Sequence, residues 1–443
     1  MVNDLVIAAA VPSPSLSAAQ LLVFLGQLAG LLVLATVAGR LSARVGLPTV
    51  TGELLVGVLL GPTVLGRLPD QFGSWLPGRD PHQQVLLDVV GQLGVLLLVG
   101  LTGAGLDLKR VRARGTAAAR VSAGGLLVPL TFGVLLGFVL PGSLFAGDRV
   151  TFALLLGVAL AVSAIPVIAR ILADLRLVNR NVGQLILTAS VVDDAVGWLL
   201  LSTVSAMATG GALLWVVASS LVLLVLSVIF TLTIGRTLMS ALLRRASGGA
   251  EPTPVIATVV IVMLLCAGGA SVLGFEPVFG AFLGGIMVGS ARVLPERALD
   301  PLRTVVLSVL APVFFAMAGL RMDLTLLARP AVLLAGLAVL AVAILGKVGG
   351  AYLGARLSRI GHWEALAIGV GLNARGVIEV IVATIGVQIG VLSTAGYTII
   401  VLVAVVTSVL APPLLRLAMT RVERTADERL AAHEHGATDV ANS

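Results

Sequence analysis

Long apolar segments constrain the fold of this chain more than any other feature. Runs of about twenty mostly apolar residues recur between residues 18 and 418, and a helix of about that length crosses a bilayer. The chain is 58% hydrophobic and 12% charged, whereas soluble domains carry about 25% charged residues. Backbone groups inside a bilayer must be paired within the protein. The sequence therefore predicts an all-α polytopic membrane protein.

The hydropathy pattern predicts about thirteen transmembrane helices, and the positions of Lys and Arg test that number. Of 29 such residues, twenty lie in odd-numbered loops or the C-terminal tail, and five lie in even-numbered loops. Since cytoplasmic loops are enriched in Lys and Arg, we expect a multi-pass protein of the cell membrane with its N-terminus outside and its C-terminus in the cytoplasm. The predicted spans are 18–39, 48–66, 84–104, 115–139, 151–173, 183–208, 212–235, 254–273, 277–290, 303–320, 330–355, 363–389 and 395–418.

Three regions follow from this pattern: an extracytoplasmic N-terminal segment (1–17), a transmembrane domain (18–418) and a cytosolic polar tail (419–443). The first region holds no Lys or Arg, which argues against a cleaved signal peptide. The net charge of +7 is scattered over short loops, so we expect no nucleic-acid partner. A single cysteine excludes a disulfide framework, and no cofactor is expected.

An internal repeat relates the two halves of the chain. "GELLVGVLLG" (52–61) matches "GAFLGGIMVG" (280–289), and both the third and the tenth spans exit with an Asp-Leu pair, at Asp107 and Asp323. Each match joins spans that are seven apart, and an odd separation places the two copies in opposite orientations. Inverted repeats of this kind are typical of secondary transporters that bind substrate at the midplane. We therefore predict two inverted six-helix repeats joined by a seventh span.

Two adjacent carboxylates lie in the middle of the sixth span, in "LILTASVVDDAVGWLLLSTV" (185–204). Charge at mid-membrane is costly, and Asp193 and Asp194 also repel each other. Together they offer oxygen ligands to a small cation, and a coupled pair of this kind also takes up protons. Cation and proton would then compete for one site. This competition is the chemistry of exchange, so we expect Asp193 and Asp194 to bind the transported monovalent cation and the proton.

Four basic residues lie inside predicted spans. Arg120 and Arg170 are near span ends and are expected to extend to the interface. Lys347 lies in mid-span in a chain with 27 Arg and only two Lys, which suggests a group that must be able to lose its proton. We expect Lys347 to pair with one aspartate and to take part in coupling, with a purely structural salt bridge as the alternative.

Two spans have interrupted patterns at matching positions of the repeats. The fifth contains Ser163 and Pro166, and the twelfth contains Asn373, Arg375 and Glu379. Interrupted helices at equivalent positions of two repeats point to a transport site, so we expect discontinuous helices there. Arg375 and Glu379 are four residues apart and are expected to form a structural or gating pair.

Two further acidic residues, Glu53 and Glu276, lie in or beside the second and ninth spans. They are interpreted as packing or interface groups.

Four segments together resemble the monovalent cation:proton antiporters, in the branch that includes NapA, the Kef systems and the plant cation/H+ exchangers. They are "GELLVGVLLGPTVLG", "ARILADLRLVNRNVGQLILTASVVDDAVGW", "LGKVGGAYLGARL" and "GLNARGVIEVIVATIG". The likeness extends from about residue 20 to residue 415. It implies a homodimer of thirteen-helix subunits, with an interface bundle of spans one to three and eight to ten. Spans four to six and eleven to thirteen would form a mobile core.

The resemblance also implies roles for individual residues. Asp193 matches the aspartate that pairs with the lysine, here Lys347, and Asp194 matches the principal cation and proton ligand. Two acidic residues in place of Asn-Asp resemble the electrogenic members. Ser163 and Asn373 fall in the stretches that match the crossed helices. The Kef systems carry a cytosolic nucleotide-binding domain, and the short polar tail here gives no reason to expect that type of gating.

The favoured function is exchange of Na+ or K+ for H+ across the bilayer by alternating access, which is not an enzymatic activity and would serve pH homeostasis. Proton-driven export of a small organic cation is the alternative, although a chain with 4% aromatic residues is poorly suited to such a cavity. An intramembrane aspartyl protease needs facing aspartates on different helices, which an adjacent pair does not provide. A channel would not need paired titratable groups and inverted broken helices.

Overall fold

A computed structural model describes residues 17–65, 80–105, 115–178, 180–208, 222, 225–246, 253–291, 293–295 and 297–422. Helices dominate these residues, and no strand occurs among them apart from an isolated bridge between Phe145 and Leu392. The helices are α1 (Ala18–Arg44), α2 (Thr49–Leu60), α3 (Pro81–Ala104), α4 (Gly115–Val139), α5 (Arg149–Ala161), α6 (Ile165–Asp174), α7 (Asn181–Ala208), α8 (Val225–Ala246), α9 (Thr253–Val272), α10 (Pro277–Ala291), α11 (Asp300–Leu320), α12 (Pro330–Leu357), α13 (His362–Leu372), α14 (Val377–Gln388) and α15 (Thr394–Met419).

The helices confirm an all-α polytopic membrane fold. Among the described residues, nine helices are long and apolar enough to cross a bilayer, and the bent pair α13–α14 would be a tenth span. The shorter apolar helices α2, α5 and α10 fall on the predicted second, fifth and ninth spans. The number thirteen stays a prediction. The termini at 1–16 and 423–443 lie outside the described residues, as does most of the predicted seventh span.

The helix that contains residue 235, the predicted end of the seventh span, continues as α8 to Ala246. It passes through a π-helical turn, Thr231–Gly235, and carries Arg236, Arg244 and Arg245 on its last part. Long basic side chains can extend from a helix toward water, so they do not end the helix where they first appear. The helix therefore extends beyond the predicted end of the span, and the membrane boundary itself stays a prediction.

The helices form two bundles that follow the two sets of spans named above. In the first bundle, α2 packs on α1 and α11, and α3 packs on α10, which also contacts α9. In the second bundle, α4 packs on α5, α7 and α12, and α13 and α14 pack on α15. Each bundle takes helices from both halves of the chain. The candidate site lies in the second bundle, where one span is broken between α5 and α6 and another between α13 and α14.

Glycine contacts in the first bundle confirm the inverted repeat. A Cβ added at Gly57 of α2 would lie 1.9 Å from Ala316 O of α11, and one added at Gly285 of α10 would lie 1.9 Å from Gly100 O of α3. Gly57 and Gly285 were already matched in the repeat by a spacing of 228. Gly100 and Ala316 are separated by the same 216 residues as Asp107 and Asp323. The two halves therefore form the same close helix contact twice, each half supplying the opposite partner.

Candidate functional site

The two interrupted spans meet at their breaks. The fifth is divided between α5 and α6, and Pro166 lies in the first turn of α6, where a missing N–H does no harm. The twelfth is divided between α13 and α14, which are bent by 43°. Ala164 N donates to Ala374 O at 3.3 Å, and Ser163 Oγ donates to Leu372 O at 3.0 Å. These bonds hold the extended segments across each other, as the sequence predicts for crossed discontinuous helices.

Asp193 is fully buried on α7 and is surrounded by donors. Its Oδ1 accepts from Ser122 Oγ at 2.6 Å, and its Oδ2 accepts from Lys347 Nζ at 2.6 Å. Oδ2, at 2.9 Å, also shares the single O–H of Ser163 with Leu372 O. The exposed fraction is 0% for both Asp193 and Lys347. The predicted lysine thus lies against the first aspartate, and both oxygens of that carboxylate accept hydrogen bonds.

Two cations also cap the C-terminus of α5. Lys347 Nζ donates to Ala161 O, and Arg375 donates to Ala159 O at 2.9 Å and to Leu160 O at 2.6 Å. The last carbonyls of a helix have no partner within the helix, and they form the negative end of its dipole. The break in the fifth span therefore supplies acceptors for both buried cations. This role for the broken helix did not emerge from the sequence, because it depends on where α12 and Arg375 pack.

Arg375 and Glu379 are both buried, with Arg375 Nη1 3.7 Å from Glu379 Oε1. Glu379 Oε2 also accepts from Gly376 N at 2.8 Å, which caps the start of α14. Ser408 Oγ of α15 donates to Arg375 O. These contacts tie the break of the twelfth span to its own helix and to α15.

Asp194 differs from its neighbour because one of its oxygens has no donor. Among the described residues, Asp194 Oδ1 and Asn373 Oδ1 are buried side-chain oxygens without a hydrogen-bond partner, and Asp194 is 1% exposed. Such orphaned acceptors require explanation: a bound cation would satisfy either oxygen, and a proton would satisfy the carboxylate of Asp194. Within the described ranges, no three His, Cys, Asp or Glu side chains gather as a metal cluster. The two orphaned oxygens are of the chemical type that ligates small hard cations.

A cavity of about 810 Å³ lies between the two bundles and approaches the aspartates. It is lined by Val191, three residues before Asp194, and by Ile165 and Val377, the first residues of α6 and α14. Buried Glu53 of α2 also lines it. Exposed Arg40, Arg170 and Arg303 line the same cavity. The cavity has a mainly apolar wall with charged groups, and it reaches α7 one helical turn before Asp194.

Hydrogen bonds join the two bundles elsewhere. Ser205 Oγ of α7 donates to Glu276 Oε1, just before α10, at 2.5 Å. Tyr397 OH of α15 donates to Ala318 O of α11 at 2.7 Å, and Asp323 N donates to Thr398 Oγ1 at 3.1 Å. We call these three bonds the inter-bundle closure. Glu276 therefore lies at an interface, as the sequence suggested.

Ser122 was missed by the sequence interpretation. A lone serine in an apolar span is common, and its hydroxyl usually bonds its own helix. One signal was available: Ser122, Gly125 and Pro129 share a helix face by their spacing, and that face packs on α12 near Lys347. Arg120, two residues earlier, is exposed and donates to Leu357 O at 3.3 Å, so it lies at the interface.

Comparisons with known proteins agree with this architecture. The sodium/hydrogen exchanger transmembrane family model matches residues 31–420. The Na(+)/H(+) antiporter NhaS4 of Synechocystis sp. is 31% identical over 400 residues, covering 89% of this chain and 97% of that protein. Cation/H(+) antiporter 15 of Arabidopsis thaliana is 30% identical over 383 residues, covering 85% of this chain and 46% of that protein. This chain thus spans about half the length of that plant relative.

Two further comparisons concern a yeast protein and a solved structure. K(+)/H(+) antiporter 1 of Saccharomyces cerevisiae is 28% identical over 380 residues, covering 84% of this chain and 43% of that protein. The structure of the sodium proton antiporter MjNhaP1 from Methanocaldococcus jannaschii at pH 8 has a TM-score of 0.63 at 16% identity, covering 90% of this chain and 97% of that one. That likeness concerns the fold, while the matches in sequence settle the relationship. The chain belongs to the sodium/hydrogen exchanger family of multi-pass membrane proteins.

Proposed function

We propose that this protein exchanges a monovalent cation, Na+ or K+, for H+ by alternating access, with Asp194 as the principal ligand. The observation that carries the proposal is the buried Asp194 carboxylate, whose Oδ1 lacks a donor one helical turn from the cavity. Asp193 and Lys347 neutralise each other beside it. A cation and a proton can each satisfy that oxygen, so binding of one displaces the other.

The relatives support both candidate cations. NhaS4 is named as a Na+/H+ antiporter and the yeast relative as a K+/H+ antiporter. The cavity supports an inorganic ion over an organic cation, since Phe315 is the one aromatic residue among the described residues that line it. Aromatic faces are the usual means of binding quaternary and other organic ammonium groups.

Location, orientation and assembly complete the proposal. The protein lies in the cell membrane as a homodimer, with residues 1–17 outside and residues 419–443 in the cytoplasm. The twenty-to-five distribution of Lys and Arg supports this orientation, which places Arg40, Arg170 and Arg303 at a cytoplasmic cavity mouth. The inter-bundle closure then lies on the outer side. A reporter fused after Ser443 that is active only outside the cytoplasm would overturn the topology.

The first experiment uses purified protein in liposomes that contain a pH-sensitive dye. Added Na+, K+ or Li+ should drive proton movement, and the cation that does so at the lowest concentration is the substrate. Asp194→Asn keeps the shape of the side chain but loses its charge and proton, so it should abolish exchange while the protein still folds. A folded Asp194→Asn protein with wild-type exchange rates would contradict the assignment.

We also propose that exchange is electrogenic, because a second acidic residue and a lysine lie beside Asp194. In the unloaded site Lys347 is paired with Asp193; when a cation draws on both aspartates, the lysine loses its counter-charge and can release a second proton. Lys347→Gln should then retain some cation transport with less charge moved per cycle. Currents on solid-supported membranes measure this, and an unchanged current per transported cation would exclude the coupling role.

A further inference from the structure

Serine and threonine hydroxyls in these helices commonly bond the carbonyl four residues earlier in their own helix. Thr102 bonds Leu98 O, Thr188 bonds Gln184 O and Ser190 bonds Ile186 O. This is the ordinary pattern for hydroxyls inside helices. Ser122 departs from it, because its hydroxyl crosses from α4 to α7 and donates to Asp193 Oδ1 at 2.6 Å.

Close packing holds Ser122 in this position. Its exposed fraction is 1%, and the same face of α4 lies against α12, where a Cβ added at Gly346 would be 3.1 Å from Pro129 Cα. The helix that carries Lys347 and the helix that carries Ser122 are therefore packed together. Each of these two residues donates to a different oxygen of the Asp193 carboxylate: Ser122 to Oδ1 and Lys347 to Oδ2.

This division has a consequence for a cation at Asp194. The neighbouring carboxylate could supply a second ligand oxygen, but Oδ2 is held by Ser163 and Lys347 and Oδ1 is held by Ser122. A cation that draws on Oδ1 must share that oxygen with the Ser122 hydroxyl or displace it, and the shared oxygen is the weaker ligand because its charge also serves the hydrogen bond. The displaced hydroxyl need not remain unpaired in the apolar interior, because the carbonyl of Ala118, four residues earlier on α4, is the usual acceptor for a helical serine.

We propose that Ser122 is a positioning residue that sets cation affinity by competing with the cation for Oδ1 of Asp193. It keeps the ion loosely held, so that the ion can leave when the site faces the other side. The inference rests on the proposed exchange at Asp194 and adds a specific control of affinity to it. Ser122 touches Asp193 and acts on the cation through it.

Removing the hydroxyl should tighten cation binding and slow turnover. In Ser122→Ala, Oδ1 of Asp193 is free to serve the cation, so the apparent KM for the cation should fall roughly three- to tenfold, the range expected for one net hydrogen bond. The value of kcat should fall as well, because the tighter complex releases its ion more slowly. General damage to the fold would lower kcat without lowering KM.

Two further variants separate the hydrogen bond from packing. Ser122→Cys nearly keeps the volume but donates weakly, so it should behave as Ser122→Ala does. If volume were the important property, it would behave as the wild type. Ser190→Ala is the matched control, since it removes another buried serine hydroxyl three residues from Asp193 that bonds only its own helix in this structure. Its KM should equal that of the wild type.

The test measures exchange kinetics in liposomes and, separately, the rise in melting temperature with Na+ or K+ in detergent, which reports binding without transport. Lower KM and stabilisation at lower cation concentration in both Ser122 variants are the expected results. If the wild-type protein exchanges cations but both Ser122 variants have an unchanged or higher KM, the role of Ser122 is overturned while the proposed function stands. A wild-type protein that neither exchanges nor is stabilised by any cation would overturn the proposed function and this inference together.

Discussion

At the scale of single residues, the site is a balance of buried charges. Asp193 and Lys347 are fully buried and neutralise each other, and the Lys347 ammonium also donates to the carbonyl of Ala161 at the end of α5. A buried ion pair contributes little net stability over an apolar pair, but loss of one partner leaves an uncompensated charge. The pair should therefore respond very differently to single and double substitution.

Lys347→Gln should lower the stability of the folded protein by about 3–5 kcal/mol, because Asp193 is left as an unpaired charge. The double variant Lys347→Gln with Asp193→Asn should regain much of that loss, since no buried charge remains unpaired. Thermal unfolding of detergent-solubilised protein gives both values. Arg120→Gln is the control, because it removes an exposed cation on α4 and should change the melting temperature little.

Equal destabilisation in the single and double variants would contradict this account. In that case the interaction of Lys347 with Ala161 O, which the double variant also loses, would be the important contact. Measurements on Asp193→Asn alone complete the cycle and give the coupling energy between the two side chains.

At the scale of helices, close glycine contacts decide how the second bundle packs. A Cβ added at Gly350 of α12 would lie 2.2 Å from Gly124 O of α4, and one added at Gly124 would lie 2.2 Å from Gly350 O. The adjacent Gly349 has open space on its Cβ side, with nothing within 4 Å. Of these two neighbouring glycines, Gly349 has room for a side chain and Gly350 has none.

Gly350→Ala should force α4 and α12 apart and lower the melting temperature markedly, with loss of the Ser122 and Lys347 geometry. Gly349→Ala should leave the fold intact and could only gain stability, by up to about 1 kcal/mol, because alanine loses less backbone entropy in a helix. Melting curves and yields of folded protein compare the two. Similar melting temperatures for the two variants would show that α4 and α12 can separate without cost.

The helices also show what sequence reasoning can and cannot supply. Span positions and the breaks near Pro166 and Asn373 were predictable, because hydropathy, proline and polar residues act locally. The continuation of α8 to Ala246, the partner of Ser122 and the carbonyl acceptors of Arg375 were not, since these depend on which helices meet in three dimensions. The pair of Arg375 with Glu379 was predictable, because its four-residue spacing is local. The carbonyl acceptors of Arg375 carry no side-chain signal at all, because every residue has a carbonyl.

At the scale of the whole molecule, the two bundles are separated by a cavity and joined elsewhere by the inter-bundle closure. Alternating access requires the second bundle to move against the first. Bonds such as Ser205–Glu276 and Tyr397–Ala318 must then break in each cycle. Contacts within one bundle, such as Thr63 Oγ1 to Met322 O at 3.1 Å, need not change.

A cross-link across the closure should stop exchange. In a Cys266→Ser background, which removes the single native cysteine, Ser202→Cys and Glu276→Cys place two thiols close together, since Glu276 N lies 3.5 Å from Ser202 Oγ. A short reducible thiol cross-linker should abolish exchange in liposomes, and reductant should restore it. Either cysteine alone should give exchange that the reagent does not affect. Full exchange by a cross-linked protein would show that these two elements do not separate.

The duplicated glycine contact between α2 and α11 and between α3 and α10 has a consequence for the ancestry of the chain. Consider a half-length sequence with one such glycine on its second helix and one such close-packed carbonyl on its third helix. Two copies of it, inserted in opposite directions, could form both contacts. The present chain has the geometry of such a pair at these two contacts. In each contact the glycine belongs to one half of the chain and the carbonyl it packs against belongs to the other half. A substitution at either glycine is therefore selected against through a residue of the other half, so the two halves are expected to evolve together.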